Sequence, residues 1–82
     1  MRETAWRIDF TEMERGWGSR PMGYTLYATE AEARLAYKAH WAEYGEEAAP
    51  DYYIHASEPR LVQLTVHESR TMGGLNSCPF FS

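Results

Sequence analysis

The chain begins with side chains that alternate between apolar and polar over residues 4–13. A period of two puts neighbouring side chains on opposite faces of an extended chain, so this stretch predicts a β-strand with one buried face. A second run, GYTLYA at residues 23–28, is rich in aromatic and branched side chains and predicts another strand. Sequential strands usually pair, so we expect an antiparallel pair joined by a long hairpin loop. The apolar positions of the first strand are Trp6, Ile8 and Phe10, and the polar positions are Arg7, Asp9 and Thr11.

The pattern becomes helical in the next segment, ATEAEARLAYKAHWAEYG. Thr29 and Glu32 have the spacing of a capping box, which stabilises the start of a helix. Alanine, leucine and glutamate follow at high density, and all three favour helix. Gly45 is a suitable C-terminal stop. The sequence therefore predicts a helix from Glu30 to Tyr44.

This helix carries two apolar stripes, which lie more than about 100° apart at the helical period. The stripe of small residues would allow a sheet to approach closely, and the aromatic stripe would then need another cover, most simply a two-fold homodimer or a higher homo-oligomer. The alternative is that the aromatic stripe faces the sheet and the small residues are exposed. The small stripe is Ala31, Leu35, Ala39 and Ala42, and the aromatic stripe is Tyr37, Trp41 and Tyr44.

The second half of the chain predicts one or two further strands. Residues 52–56, YYIHA, form a third strand, and Pro59 marks a break because proline cannot donate to a ladder. Residues 60–67 alternate again and predict a fourth strand or a continuation of the third. We expect the core to span residues 4–67 and the tail at 68–82 to be loosely ordered. The fold class is α+β: a small antiparallel sheet, in the order β-β-α-β-(β), packed on one helix in two layers of a single domain, residues 1–82.

Composition narrows the kinds of partner. The formal net charge is −4 and the pI is near 5.3, so direct nucleic-acid binding is not expected. The start of the chain does not resemble a signal peptide, and no apolar run is long enough for a membrane span. The lone cysteine, Cys78, fits a reducing compartment, and we expect a cytoplasmic protein.

The segment ERGWGSR lies between the first two strands. Gly16 and Gly18 permit positive φ on both sides of Trp17, and Arg15 and Arg20 carry guanidinium groups beside it. One interpretation is a recognition loop with an aromatic anchor and two cations, the composition of interface hot spots. The other is that Trp17 folds back over the sheet while the arginines pair with Glu12 and Glu14.

A second candidate site follows the helix. Tyr52 and Tyr53, with Glu58 and Arg60 nearby in sequence, could stack on and clamp a small nucleotide-like ligand. The alternative is cross-strand packing with a surface ion pair.

Catalytic, metal and cofactor sites are not expected. His40, His55, His67 and Cys78 reach a zinc-like count, but their spacing matches no standard zinc site. Cys78 could pair with a histidine as a nucleophile, but it lies in the tail that we expect to be loose. No phosphate-binding glycine loop of a known spacing is present. The sequence favours a protein that is not an enzyme.

The run WRIDFTEMERGWGSR, with the later PDYYIHA, resembles a group of small phage and prophage proteins with the signature W-(R/K)-(I/V)-x-(F/Y)-x-E-x-E-R-G-W-G. The resemblance covers about residues 5–56, and it implies no catalytic residue. It implies a phage-derived accessory protein that binds and inhibits a protein or defence complex of a bacterial host. The matching positions are Trp6, Arg7, Ile8, Phe10, Glu12, Glu14, Arg15, Gly16, Trp17, Gly18, Pro50, Asp51, Tyr52 and Tyr53.

Three functions remain open from the sequence. The first is this inhibitor, acting through the Trp17 loop and an acidic surface, including Glu43, Glu46 and Glu47, that could mimic nucleic acid. The second is an oligomer that traps a nucleotide signal between tyrosines and arginines. The third is a structural module that assembles with itself.

Overall fold

A computed structural model describes residues 2–43 and 52–81 of the chain. It confirms the α+β class: an antiparallel sheet of five strands packs against two helices. In chain order the elements are β1 (Thr4–Glu14), β2 (Gly18–Tyr27), α1 (Glu30–Ala42), β3 (Tyr52–Ala56), β4 (Arg60–Gln63), α2 (Val66–Met72) and β5 (Ser77–Phe81).

The long strand β1 organises the sheet. β2 pairs with it along one side, while β3 and β4 pair in succession along the other, and β5 pairs with the far side of β2. The break between β3 and β4 is held to β1 by Ser57, whose N–H donates to the carbonyl of Asp9 at 2.9 Å and whose Oγ accepts from the Asp9 N–H at 2.9 Å. The break predicted at Pro59 therefore separates two strands on one side of β1.

The two helices cover opposite faces of the sheet. α1 packs on Ile8 and Ala56 through its buried Ala33, while Met72 of α2 packs on Ala5 and Leu26 from the other side. The predicted alternation of β1 is confirmed at Ile8, which is 1% exposed. The expectation of one helix and two layers is wrong, because the polar face of β1 also carries the small Ala5, over which a second helix fits.

The placement of α1 also differs from the sequence expectation. Tyr37 and Trp41 pack against the core, while Leu35 of the small stripe is 70% exposed. Aromatic side chains remove more apolar area from water than alanines do, so the helix turns its larger apolar stripe inward. The aromatic stripe thus does not supply the uncovered surface on which a dimer was predicted, and Tyr44 lies outside the described residues.

The expectation of a loose tail beyond residue 67 is also wrong. Thr65 and Glu68 form a complete capping box at the start of α2, so the alternation at residues 60–67 ends in a helix that includes His67. Within the tail, Met72 is fully buried and β5 pairs with β2. The tail therefore closes the second face of the sheet and extends the core past its predicted limit.

Two prolines lie on open strand edges. Pro79 is opposite Thr25 in the pairing of β5 with β2. Three residues earlier, just before β5, the Asn76 carbonyl accepts a hydrogen bond from the Ala28 N–H at 2.9 Å. Hydrogen-bonded and non-hydrogen-bonded pairs alternate along an antiparallel ladder, so Pro79 is in a non-bonded pair and its nitrogen points away from β2. Pro21 is opposite Thr11. The odd-numbered residues of β1 direct their backbone groups toward β3 and β4, and Thr11 is one of them. Thr11 and Pro21 are therefore a non-bonded pair, and the Pro21 nitrogen points away from β1. Among the described residues, no strand pairs with the outer side of β5, and β5 pairs with β2 only from Gly23 to Tyr27, so the part of β2 that contains Pro21 is open on that side.

The molecule is elongated, with principal extents of 42 × 24 × 16 Å. Its Cα radius of gyration is 13.8 Å, against about 12 Å for a compact domain of this length. Across residues 2–43 and 52–81, neither helix has the length and apolar character needed to cross a membrane.

Candidate functional site at the Trp17 hairpin

The Trp17 hairpin, defined as residues 12–20, is a tight turn between β1 and β2 rather than the predicted long loop. Trp17 N–H donates to the carbonyl of Glu14 at 3.0 Å, and Gly16 has a φ of 84°, the positive value that a type II turn requires at its third residue. Gly18 has a φ of 90°. A Cβ at either glycine would touch nothing within 4 Å, so the backbone conformation alone explains these two residues.

This turn holds Trp17 in solvent. The indole side chain is 83% exposed, so the alternative in which Trp17 folds back over the sheet is wrong. The strands behind the turn are braced, because Glu14 at the end of β1 pairs with Gly18 of β2 on one side and with Tyr52 of β3 on the other. The side chain is thus displayed from a three-stranded support.

The charged groups of the hairpin are partly paired with each other. Arg20 lies 3.3 Å from the carboxylate of Glu12, as the packing alternative predicted for this arginine. The Tyr52 hydroxyl also donates to Glu12, at 3.3 Å. Glu12 thus ties the first residue of β3 to both strands of the hairpin.

Beside the turn lies the Trp17–Tyr52 cleft, an open depression of about 440 Å³ lined by Glu14, Arg15, Trp17 and Tyr52. Tyr52 is 51% exposed. Its hydroxyl pKa is raised, first by burial and then by the negative charges of Glu12 and Glu14, against a smaller opposing effect of Arg20. The effect of the two carboxylates on this hydroxyl is therefore larger than that of Arg20.

The ligand site predicted at Tyr52, Tyr53, Glu58 and Arg60 is not assembled. Tyr52 pairs with Glu14, at the hairpin end of β1, while Arg60 pairs with Arg7. At about 3.3 Å per residue, the seven residue steps from Arg7 to Glu14 separate these two partners by about 23 Å. The prediction was wrong because β3 and β4 run end to end along β1, rather than folding back on each other.

Arg60 belongs instead to the Tyr24 cluster under α2, which sequence reasoning missed. The guanidinium of Arg7 lies 2.7 Å from Asp9 and 3.7 Å from the centre of the Tyr24 ring, and Arg60 lies 3.3 Å from the other oxygen of Asp9. The Tyr24 hydroxyl donates to Glu68. The alternation of β1 placed Arg7 and Asp9 on one face, but only the unexpected helix α2 brings Glu68 to them.

Glu68 is held as a carboxylate although it is 8% exposed. Burial alone would raise its pKa, but hydrogen bonds from the Thr65 N–H and the Tyr24 hydroxyl outweigh burial and lower the pKa. The same bond raises the pKa of Tyr24. The Tyr24 cluster is therefore a network completed within the chain.

A second depression, of about 360 Å³, lies on the α1 face beside β5, with Phe10, His40, Ile54 and Phe81 among its walls. His40 Nε2 lies 2.6 Å from the Ile54 carbonyl oxygen, which joins α1 to β3. Phe81, at the rim, is 83% exposed. This depression is mainly apolar and contains no cluster of reactive groups among the described residues.

Cys78 is buried in the core beneath α2, so its thiol is not presented to a substrate. Among residues 2–43 and 52–81, no three histidine, cysteine or acidic side chains converge on a point that could hold a metal ion.

Comparison of the chain with models of protein families, with curated proteins and with solved structures found no match. The function is therefore argued from the geometry of the site.

Proposed function

We propose that this protein is a non-enzymatic binding protein that attaches to a partner protein through the Trp17 hairpin. The observation that carries the proposal is the exposure of Trp17, 83%, at the end of a braced strand pair. A large exposed aromatic side chain with arginines beside it is the composition of interface hot spots.

The energetics favour an anchor at this position. Burying a tryptophan removes about 150–250 Å² from water, which at about 25 cal/mol per Å² corresponds to about 4–6 kcal/mol before the cost of association. The turn is fixed by Gly16, Gly18 and the Glu14 carbonyl, so little conformational freedom is lost on binding. A pre-formed anchor converts more of this gain into affinity.

The acidic surface contributes less to the proposal than the sequence suggested. Of twelve acidic and eight basic residues, Glu46, Glu47 and Asp51 lie outside the described residues, which leaves nine acidic and eight basic. The net charge of −4 belongs to the whole chain, and the structure does not place three of the residues that produce it. The proposal rests on the hairpin, whose geometry is described, and not on mimicry of nucleic acid by the acidic residues.

The resemblance to phage proteins supports a bacterial host protein or defence complex as the partner, with inhibition by occupation of its surface. Trapping of a nucleotide is not proposed, since the tyrosines and Arg60 lie at different ends of β1. Self-assembly and the homodimer remain predictions from the sequence.

Site-specific photocrosslinking tests the proposal. A benzophenone side chain at position 19, an exposed hairpin position that leaves Trp17 in place, is expected to capture a defined partner from host lysate, and Trp17→Ala, used as an unlabelled competitor, should fail to prevent capture. Phe81→Ala is the matched competitor, because Phe81 is equally exposed and lies in another part of the sheet. This variant should compete as well as the wild type.

Equal competition by folded Trp17→Ala and by the wild type would contradict the hairpin as the anchor. So would crosslinking at position 81 to the same partner with undiminished yield when Trp17 is replaced.

A further inference from the structure

The surroundings of Tyr52 repeat part of the arrangement around Tyr24. Each tyrosine hydroxyl donates to a glutamate carboxylate, Tyr24 to Glu68 and Tyr52 to Glu12. At Tyr24 a guanidinium from the same chain, that of Arg7, completes the arrangement 3.7 Å above the ring. The ring of Tyr52 instead opens into the cleft that it shares with Trp17.

We propose that the Trp17–Tyr52 cleft binds an arginine side chain of the partner protein, with the guanidinium over an aromatic ring and beside the carboxylate of Glu14. This inference rests on the proposed function and specifies the chemistry that the hairpin recognises.

Three features of the cleft favour a guanidinium. The faces of tryptophan and tyrosine attract cations, and a planar, weakly hydrated guanidinium stacks on them better than an ammonium group does. The carboxylates of Glu12 and Glu14 both lie close enough to the Tyr52 hydroxyl to raise its pKa, and both would attract a cation. Glu12 is occupied by Arg20 and Tyr52, whereas Glu14, a wall of the cleft, forms no ion pair with any cation of the described residues.

Arg15 also lines the cleft and acts against an incoming cation. The inference can therefore be tested by the direction in which affinity changes when Arg15 or Glu14 is neutralised. A cationic ligand should bind more tightly when Arg15 is neutralised and more weakly when Glu14 is neutralised, and an anionic aromatic ligand such as adenosine monophosphate should show the opposite pair of changes.

The test uses nuclear magnetic resonance of the full chain labelled with ¹⁵N. The indole N–H signal of Trp17 is assigned as the one lost in Trp17→Phe. The probe is the blocked peptide Gly-Gly-Arg-Gly-Gly, and its control carries citrulline, which has the same shape without the charge. We expect a saturable shift of the Trp17 signal, with the arginine peptide binding about two- to fivefold more tightly than the citrulline peptide.

Two single variants complete the test. Glu14→Gln should weaken binding of the arginine peptide, and Arg15→Gln should strengthen it; both side chains are on the surface, and circular dichroism checks that both variants are folded. Equal affinity for citrulline, absence of a saturable shift at tens of millimolar peptide, or tighter binding of adenosine monophosphate that Arg15→Gln weakens would each overturn the inference.

These outcomes are separable from the test of the proposed function. If Trp17→Ala fails to compete for the crosslinked partner but the peptides bind equally, the hairpin is the anchor and the partner inserts a group other than arginine.

Discussion

Tyr24 and Tyr52 have similar chemical groups around them, but Tyr24 is partly buried against the core and Tyr52 borders solvent. Both donate a hydroxyl hydrogen bond to a glutamate, and both have arginines nearby. Tyr24 is stacked against Phe80, with ring centres 5.1 Å apart, and its glutamate lies buried in α2. Tyr52 is half exposed at the edge of an open cleft. The difference shows that the same groups stabilise the fold where a second layer covers them and remain available to another molecule where none does.

The largest expected loss of stability comes from adding a methyl group at Gly23, next to Tyr24. A Cβ at Gly23 would overlap the carbonyl oxygen of Phe80 and lie 2.9 Å from Phe81 Cα, at a residue with a φ of 136°. Gly23→Ala should therefore separate β2 from β5 and lower the free energy of unfolding by about 3 kcal/mol or more. Urea denaturation measures the loss.

The matched change at the hairpin is Gly16→Ala, which has positive φ but open space. It should cost only about 1–2 kcal/mol, from the strained φ alone. Equal losses for the two variants would contradict the difference between a packed and an open region.

The next largest effect on the free energy of unfolding is expected from removing the hydroxyl group of Tyr24 or of Tyr52. Tyr24→Phe leaves the buried Glu68 with one donor fewer and should lower the unfolding free energy by about 1–2 kcal/mol. Tyr52→Phe removes an exposed bond and should change it by no more than about 0.5 kcal/mol. Chemical denaturation of both variants gives the comparison, and a larger loss for Tyr52→Phe would reverse it.

A smaller effect is expected from pH. The pKa of Glu68 is lowered in the folded state, so its carboxylate adds stability above its unfolded-state pKa of about 4.3. That contribution is lost as pH falls through the lowered pKa. Melting temperatures of wild type and Glu68→Gln should converge as pH is reduced from 7 to 3; a gap that widens on acidification would show that the sign is wrong.

The smallest expected effect on stability is that of the proposed anchor itself. Trp17 contributes little to the packed interior because it is 83% exposed, so Trp17→Ala should change the unfolding free energy by no more than about 0.5 kcal/mol. A loss above about 2 kcal/mol in urea titration would instead assign Trp17 a structural role.

The sequence predicted the elements that local patterns determine. The alternation of β1 and the capping residue of α1 are both present, since Thr29 Oγ1 accepts from the Glu32 N–H at 3.2 Å. It did not predict α2, although Thr65 and Glu68 have the same spacing as Thr29 and Glu32. The alternation of apolar and polar residues before Thr65 predicted a strand that continued to His67. A helix of two turns also has too few residues to show a helical period in the sequence.

The candidate site was predicted in part for the same reason. The glycines around Trp17 indicated a turn, because backbone preference is local, but they left open whether the side chain is displayed or folds back over the sheet. That Tyr52 lies beside Trp17, while Arg60 lies with Asp9, depends on how β3 and β4 divide the length of β1. That division is set by long-range pairing, for which no adjacent residues give a pattern.

Pro21 and Pro79 affect whether copies of this chain, which exposes a tryptophan and a phenylalanine, can pair through their strands. A strand arriving from another copy at either edge would find one amide donor missing, at Pro21 or at Pro79. The double variant Pro21→Thr, Pro79→Thr, compared with the wild type by light scattering during concentration, would measure this protection; unchanged scattering would mean that the prolines contribute none. At these two positions the missing donor thus weakens pairing with a strand from another copy.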